Sequence, residues 1–306
     1  MNNSTQIINS NYVLITAVRN EEAYIDYTIQ SILAQTILPK KWIIVSDGST
    51  DGTDEIIMKY TTRNDFMVLI RRKTKNEGVD FSSKVQAIYE GYNQLRGIEY
   101  DFMGILDGDV SFNPYYYENV LIKFDENHDL GIAGGIVFDK YAERNVRRSP
   151  GYSEYIPGCI QLFRRKCYED IGGLTPIKDG GEDTVAVIMA RMNGWKVEAF
   201  EDLNVLHHKC SEAARGKLKE SFRDGKLYYS LGSHPLFEII KSIRRLSTRP
   251  FFLYAFTRMC GYISGYYQKQ NRPVSDAFIK YLRKEQLSRL KFEIIKNYDC
   301  KYQWLW

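Results

Sequence analysis

The chain is expected to adopt an α/β fold, a mostly parallel central sheet flanked by helices, with a helical extension at the C-terminus. Three observations carry that expectation. Short β-branched apolar runs alternate with segments of helical period along the first part of the chain. Each run ends in a polar loop, as strands do at the ligand-binding edge of an open α/β sheet. From about Ser211 the composition turns helical and basic, with Pro235, Pro250 and Pro273 as breaks.

Tyr12 to Val18 (YVLITAV) reads as the first strand, and Glu22 to Ala34 as a helix carrying Ile25, Ile29, Ile32 and Leu33 at helical spacing. Trp42 to Val45 is strand-like and leads into the turn-rich Ser46-Asp47-Gly48-Ser49-Thr50-Asp51-Gly52. Asp54 to Tyr60 is helical, Met67 to Arg72 extended, Ser82 to Leu95 helical, and Asp101 to Leu106 a fourth strand that ends at Asp107. Right-handed crossovers would put these four strand C-termini on one edge. Gly131 to Phe138 and Cys159 to Phe163 are further strand candidates. Glu182 to Met192 is a helix opened by Gly180-Gly181, and Trp195 to Phe200 and Leu203 to Leu206 are extended. A domain boundary is placed between residues 209 and 210.

With 306 residues, 44% hydrophobic and 26% charged, the chain can bury a sizeable core. Its five cysteines (Cys159, Cys167, Cys210, Cys260, Cys300) contain no C-x-x-C pair, which suggests neither a disulfide framework nor a zinc knuckle and fits a cytoplasmic setting. The N-terminus lacks the pattern of a secretory signal, and no window reaches the roughly 18 apolar residues of a spanning helix. The net charge of +4 is unevenly divided. Residues 1–209 hold 23 Lys and Arg against 30 Asp and Glu, whereas residues 210–306 hold 19 against 8, a balance of −7 and +11. A basic extension suits an anionic surface, or a solvated helical face.

Asp107-Gly108-Asp109 is the sharpest chemical signal. Two carboxylates one residue apart at a strand end can turn toward one hard cation, and Mg²⁺ or Mn²⁺ takes oxygen ligands and bridges a diphosphate. Gly108 would let the backbone turn tightly and phosphate approach. Taken alone, an Asp- and Gly-rich turn explains the triplet as well. Asp47 sits one strand earlier, where it can accept from a base N–H while Ser49, Thr50 or Asp51 caps the next helix. Glu182 and Asp183 open a helix; the macrodipole favours acids there and keeps a carboxylate ionised, as a general base requires. His207-His208 follows an extended segment and could complete a metal shell, or be an ordinary surface pair.

In that order the motifs resemble glycosyltransferase family 2. Val13 to Glu22 (VLITAVRNEE) is similar to its opening strand and Asn-Glu turn, Val45 to Thr53 to its base-binding loop, and Leu106-Asp107-Gly108-Asp109 to its D-x-D motif. Gly181-Glu182-Asp183-Thr184, followed by Arg191 to Trp195, resembles its Glu-Asp acceptor-side motif. The resemblance covers residues 12–209. It implies a GT-A fold, with a nucleotide-sugar half over about 12–110 and an acceptor half over 111–209. It also implies an inverting transfer from a UDP-, GDP- or dTDP-sugar to a glycan or lipid-linked acceptor. On that reading Asp47 meets the donor base, and Thr16, Arg19, Asn20, Glu21, Asn76 and Gly78 border the nucleotide sugar. Asp107 approaches the ribose or the metal's hydration shell, Asp109 binds Mn²⁺ or Mg²⁺, and His207 or His208 stands near the diphosphate. Asp183 is the implied general base, with Glu182 its supporting neighbour. The family often has a second acid before the Asp of the base-binding loop; here that position is Ser46, which leaves the donor base open.

Competing readings lose ground on the same residues. No G-x-G-x-x-G follows the first strand and no G-x-x-x-x-G-K-[ST] occurs, so dinucleotide and P-loop enzymes lack their fingerprints. A nucleotidyltransferase shares metal carboxylates, and a non-catalytic sugar- or lipid-binding protein could keep the fold. No nucleic-acid-binding module is present in the basic extension. There, Lys241, Arg244, Arg245 and Arg249 adjoin Phe251-Phe252-Leu253-Tyr254, a pattern suited to peripheral binding on an anionic membrane face.

Overall fold

The structure, a computed structural model, describes residues 11–73, 81–140, 145–148, 156–209, 214–244 and 252–302. Asn76 and Gly78, much of the expected acceptor loop, and Arg245, Arg249 and Phe251 lie outside those residues. Cα packing divides the chain into two compact units, Met1–Cys210 and Ser211–Trp306.

The first unit opens with β1 (Tyr12–Val18), α1 (Ile25–Leu33), β2 (Lys41–Asp47), α2 (Thr53–Thr61), β3 (Met67–Arg72), α3 (Phe81–Asn93) and β4 (Phe102–Leu106). It continues with β5 (Val110–Phe112), α4 (Tyr116–Glu126), β6 (Leu130–Lys140), β7 (Asn145–Arg147) and β8 (Ile160–Arg164). After these come α5 (Arg165–Asp170), α6 (Glu182–Met192) and β9 (Lys196–His207). The nine strands form one sheet in the order β3-β2-β1-β4-β8-β6-β9-β5, with β7 on β6. The run β3-β2-β1-β4 is parallel throughout, and its strand C-termini share one edge. Beyond β4 the pairings alternate: β8 is antiparallel to β4 and β6, while β9 runs parallel to β6.

Continuous burial along β1 and β2 follows from helices covering both sheet faces. Leu14, Trp42 and Ile44 pack with Ile29, Ile32 and Phe124 on one side. Val13, Ile15, Ile43 and Val45 pack with Val85, Ile88 and Ala186 on the other. The two extended segments expected near residue 200 form one strand, β9. Its pairing with β6 slips between Gly135 and Ile136, where the partner jumps from Phe200 to Asn204, and this bulge absorbs the polar Glu201-Asp202. The second unit consists of α7 (Ala214–Ser230), α8 (Pro235–Arg244), α9 (Leu253–Tyr267) and α10 (Asp276–Tyr302).

Thr16 lies in the middle of this core. It is fully buried, and Trp42 Nε1 donates to its Oγ1 at 2.9 Å. Thr16→Val keeps the shape and removes the acceptor, leaving a buried indole N–H without a partner. Urea unfolding is expected to show a loss of about 1–3 kcal/mol. An unchanged midpoint would mean the bond contributes nothing.

Candidate functional site

The C-terminal ends of β1, β2 and β4 bring their loops together, and polar side chains tie those loops to one another. Asn20 adopts φ +55, a left-handed conformation that Asn tolerates better than most residues. Its backbone N–H donates to Ser49 Oγ at 3.2 Å, and its Oδ1 accepts from the Thr50 N–H at 2.8 Å. Glu21 N–H donates to Thr53 Oγ1 at 2.8 Å, and Glu22 Oε2 accepts from Gly52 N–H at 3.1 Å. The Asn-Glu turn is thus stitched to the loop after β2. Arg19 is exposed at the end of β1.

Asp47 is buried at the end of β2. Arg72 Nη1 lies 2.8 Å from its Oδ1, and Ser83 Oγ donates to its Oδ2 at 2.6 Å. Arg72 comes from β3 and Ser83 from α3, so Asp47 also locks three elements together.

Asp107 follows β4, and its N–H donates to the Cys159 carbonyl at 3.0 Å. Gly108 has no left-handed φ; the reason for glycine is steric, since a Cβ there would stand 2.7 Å from Val18 Cγ1 and 3.2 Å from Ile25 Cδ1. The triplet is therefore pressed against β1 and α1. Lys84, from α3, places Nζ 2.7 Å from Asp107 Oδ1 and 4.0 Å from Glu182 Oε1. Burial opposes the ammonium's charge, but Asp107, Glu182 and Asp183 outweigh it, and the Lys84 pKa is raised.

Glu182 and Asp183 open α6 because Gly180 and Gly181 both take left-handed φ, +89 and +90, a turn that glycine adopts without strain. Glu182 is buried, which lifts its pKa to about 7, with Asp183 and Asp107 adding to the rise and Lys84 opposing it. Asp183 accepts from the Gly158 N–H at 3.0 Å and from the Thr184 N–H at 2.7 Å, and burial raises its pKa too. A Cβ on Gly158 would fall 2.9 Å from Asp183 Cβ, so only glycine allows this donor so close. Lys84, Glu182, Asp183, Gly158, Gln161 and Leu174 line a narrow pocket at this point.

Asp109 is buried on the other side of Gly108. His207, at the end of β9, directs Nε2 to Asp109 Oδ2 at 3.2 Å and Nδ1 to Asp139 Oδ1 at 3.0 Å. Burial acts against the Asp109 charge, but His207 prevails and the Asp109 pKa is lowered. His208 engages a different set: its Nε2 is 2.8 Å from Ser111 Oγ, and its ring stacks on Tyr27 with centroids 4.5 Å apart. Lys209 Nζ reaches Glu21 Oε1 at 2.6 Å, and the raised Glu21 pKa, caused first by burial, also registers Asp109 and Asp107.

Six acids, Glu21, Asp107, Asp109, Asp139, Glu182 and Asp183, thus stand among Lys84, His207 and Lys209. Among the described residues no three His, Cys, Asp or Glu side chains converge as a metal shell. Asp109 Oδ1 is nonetheless a buried carboxylate oxygen with no hydrogen-bond partner, the kind of atom a cation satisfies. Lys84, Asp139 and Lys209 carried no sequence signal, since each meets its partner only through the fold.

The profile of Glycosyl transferase family 2 matches residues 13–185. Poly-beta-1,6-N-acetyl-D-glucosamine synthase of Staphylococcus aureus (strain COL) is 28% identical over 179 residues, covering 52% of this chain and 40% of that protein. The chain therefore matches less than half the length of that relative. Among solved structures, S. aureus TarS 1-349 in complex with UDP-GlcNAc aligns with TM-score 0.52 and 16% identity over 86% of this chain and 74% of that one. The mannosyltransferase PcManGT from Pyrobaculum calidifontis, in complex with GDP-Man and Mn²⁺, aligns with TM-score 0.53 and 15% identity over 96% and 81%. Identities this low speak to the fold, which these structures share. The family match covers more than half of the chain, and the chain belongs to glycosyl transferase family 2.

The Glu182 shift has a consequence for stability. Its carboxyl titrates from 4.5 in the unfolded chain to about 7 in the fold, so the folded state holds the extra proton between those values. The stabilisation is complete below 4.5 and is lost as pH rises through about 7. Urea midpoints measured across this window should fall with pH in the wild type and stay flatter in Glu182→Gln. Lys84→Met, which removes the opposing cation, should move the falling limb to higher pH. Parallel profiles for wild type and Glu182→Gln would contradict the assignment.

Proposed function

We propose that this family 2 member transfers a sugar from a nucleotide-sugar donor to an acceptor hydroxyl, with inversion, during assembly of a polysaccharide, glycolipid or glycoprotein glycan. The observation that carries this reading is Asp183, oriented by two backbone N–H groups beside the Lys84–Asp107 contact at the sheet's ligand edge. The relatives support it. TarS and PcManGT were solved with UDP-GlcNAc and with GDP-Man and Mn²⁺, and the curated relative is a polysaccharide synthase.

On the donor side, Asp47 faces the base while Arg72 and Ser83 hold its orientation. Thr16, expected to border the nucleotide sugar, is fully buried against Trp42 and supports this wall only from within the core; Arg19, Asn20 and Glu21 border the nucleotide, as do Asn76 and Gly78. Asp109, with its unpaired Oδ1, and Asp107 would hold Mn²⁺ or Mg²⁺, with His207 fixing the Asp109 carboxylate and His208 bracing the strand end. A bound divalent cation supplies Lewis-acid stabilisation of the departing diphosphate.

On the acceptor side, Asp183 takes the proton from the attacking hydroxyl. The new C–O bond forms as the anomeric carbon–phosphate oxygen bond breaks, and the electron pair leaves with the diphosphate. Attack from the face opposite the leaving group inverts the anomeric centre. Burial makes Asp183 a stronger base than an exposed carboxylate, closer to the pKa that suits proton transfer near neutral pH. Lys84, with its raised pKa, stays charged and keeps Glu182 and Asp183 from repelling Asp107.

Calorimetric titration of UDP-, GDP- and dTDP-sugars, with Mn²⁺ or Mg²⁺ present, tests the reading. One donor class is expected to bind only with metal, and Asp109→Asn is expected to weaken that binding at least about tenfold. If no nucleotide sugar binds with either cation, the proposal fails. If Asp109→Asn binds as the wild type does, the metal role of Asp109 fails.

A further inference from the structure

Two helices of the second unit present apolar stripes outward. α9 turns Ala255, Arg258, Gly261 and Gly265 inward, and Phe256, Ile263 and Tyr267 outward. At 3.6 residues per turn, those three outward residues fall within about 40° of arc. Phe256 is 67% exposed and Tyr267 79%. In α8, Glu238 and Ser242 are buried, while Leu236, Ile239 and Ile243 are exposed along one stripe.

The cause lies in how the helices meet. A Cβ at Gly225 of α7 would run into the Arg258 carbonyl, and one at Gly261 into the Phe222 carbonyl. At Gly265 it would stand 2.7 Å from the Tyr229 ring. Gly261 and Gly265 have the G-x-x-x-G spacing that lets helix backbones touch without large apolar side chains between them. A buried polar network lies beside this contact. Arg258, 1% exposed, lies 2.9 Å from Glu238 Oε2 and 3.2 Å from Asp224 Oδ2, with its guanidinium 4.5 Å from the Tyr228 ring centroid. Ser233 Oγ donates to Glu238 at 2.7 Å, and Gln286 Nε2 donates to Ser233 Oγ at 2.8 Å. The unit keeps an apolar core of Leu231, Phe278, Ile279 and Leu282, yet it also buries this ion pair and leaves Phe256, Ile263 and Tyr267 facing out, an arrangement that water alone does not favour.

We propose that the outward stripes of α8 and α9 seat on an anionic lipid surface. The charge of the unit selects this occupant: residues 211–306 hold 19 Lys and Arg against 8 Asp and Glu. A helix with an apolar outer face on a cationic unit lies in the headgroup region, its apolar side chains dipping toward the acyl chains and its cations meeting anionic headgroups. Aromatic Phe252, Phe256, Tyr266 and Tyr267 suit that depth. No helix among the described residues is long and apolar enough to cross a membrane. This inference does not depend on the sugar-transfer reading.

Co-sedimentation of the full chain with phosphatidylcholine vesicles, with and without phosphatidylglycerol, tests it. Binding is expected on the anionic vesicles and should weaken as salt rises. Ile243→Glu and Phe256→Glu, both at exposed positions, should each weaken binding about tenfold or more while leaving thermal unfolding and donor binding at wild-type values. Absence of binding to anionic vesicles at low salt overturns the proposal. So does binding that survives both substitutions. Self-association that Phe256→Glu abolishes, without vesicle binding, would show that a second copy covers the face instead. Because donor binding is read separately, loss of membrane binding cannot be mistaken for failure of the catalytic reading.

Discussion

Lys84 and the carboxylates around it set the terms for the first unit. Asp107 belongs to the end of β4, Glu182 and Asp183 to the start of α6, and Lys84 to α3, so one ammonium group joins parts of the chain far apart in sequence. Carboxylates gathered without a cation repel one another, and the Lys84 ammonium offsets that repulsion. The raised pKa of Lys84 follows from these carboxylates, whereas the elevated pKa of Glu182 comes first from burial and is held down by Lys84. This balance lets a buried, oriented carboxylate, Asp183, stand beside the Asp-Gly-Asp triplet.

Glycines supply the geometry that the charges require. Gly158 brings its N–H to Asp183, Gly180-Gly181 turns the chain into α6, and Gly108 lets the triplet press against Val18 and Ile25. The explanation of Gly108 differs from the one its sequence context suggests. The residue relieves a clash rather than providing a left-handed turn, which a sequence pattern cannot distinguish.

Much of the first unit was legible before the structure. β1 and β3 coincide with their expected ranges, and α6 does as well, because apolar β-branched runs and helical periods are bounded there by Gly, Asp and Ser. Short elements were hidden: β5 and β7 have three residues each and α5 has six, too few for a periodic signal. α4 was missed: Tyr116, Tyr117, Val120, Leu121 and Phe124 are buried along it, but the run of tyrosines obscures the period. In the site, Asp107 and Asp109 stood out by their spacing at a strand end and Asp183 by its place at a helix start, and the family resemblance supplied their expected roles. Lys84 did not stand out, because a lone lysine on a helix is ordinarily solvated. Its partners are 23 residues or more away, and only the α3–β4–α6 arrangement makes the contact. Likewise, nothing in His207-His208 says which imidazole turns toward Asp109; the register of β9 against β5 and β6 decides it.

The central proposal is that Asp183, oriented by the Gly158 and Thr184 N–H groups, is the base. Single-turnover transfer from pre-bound donor by Asp183→Asn, measured beside the donor affinity of the same variant, tests it most directly. The account predicts near-wild-type donor affinity and transfer slowed by about 10²–10⁴-fold. Transfer at the wild-type rate would contradict it, and so would a loss of donor affinity large enough to explain the slower transfer.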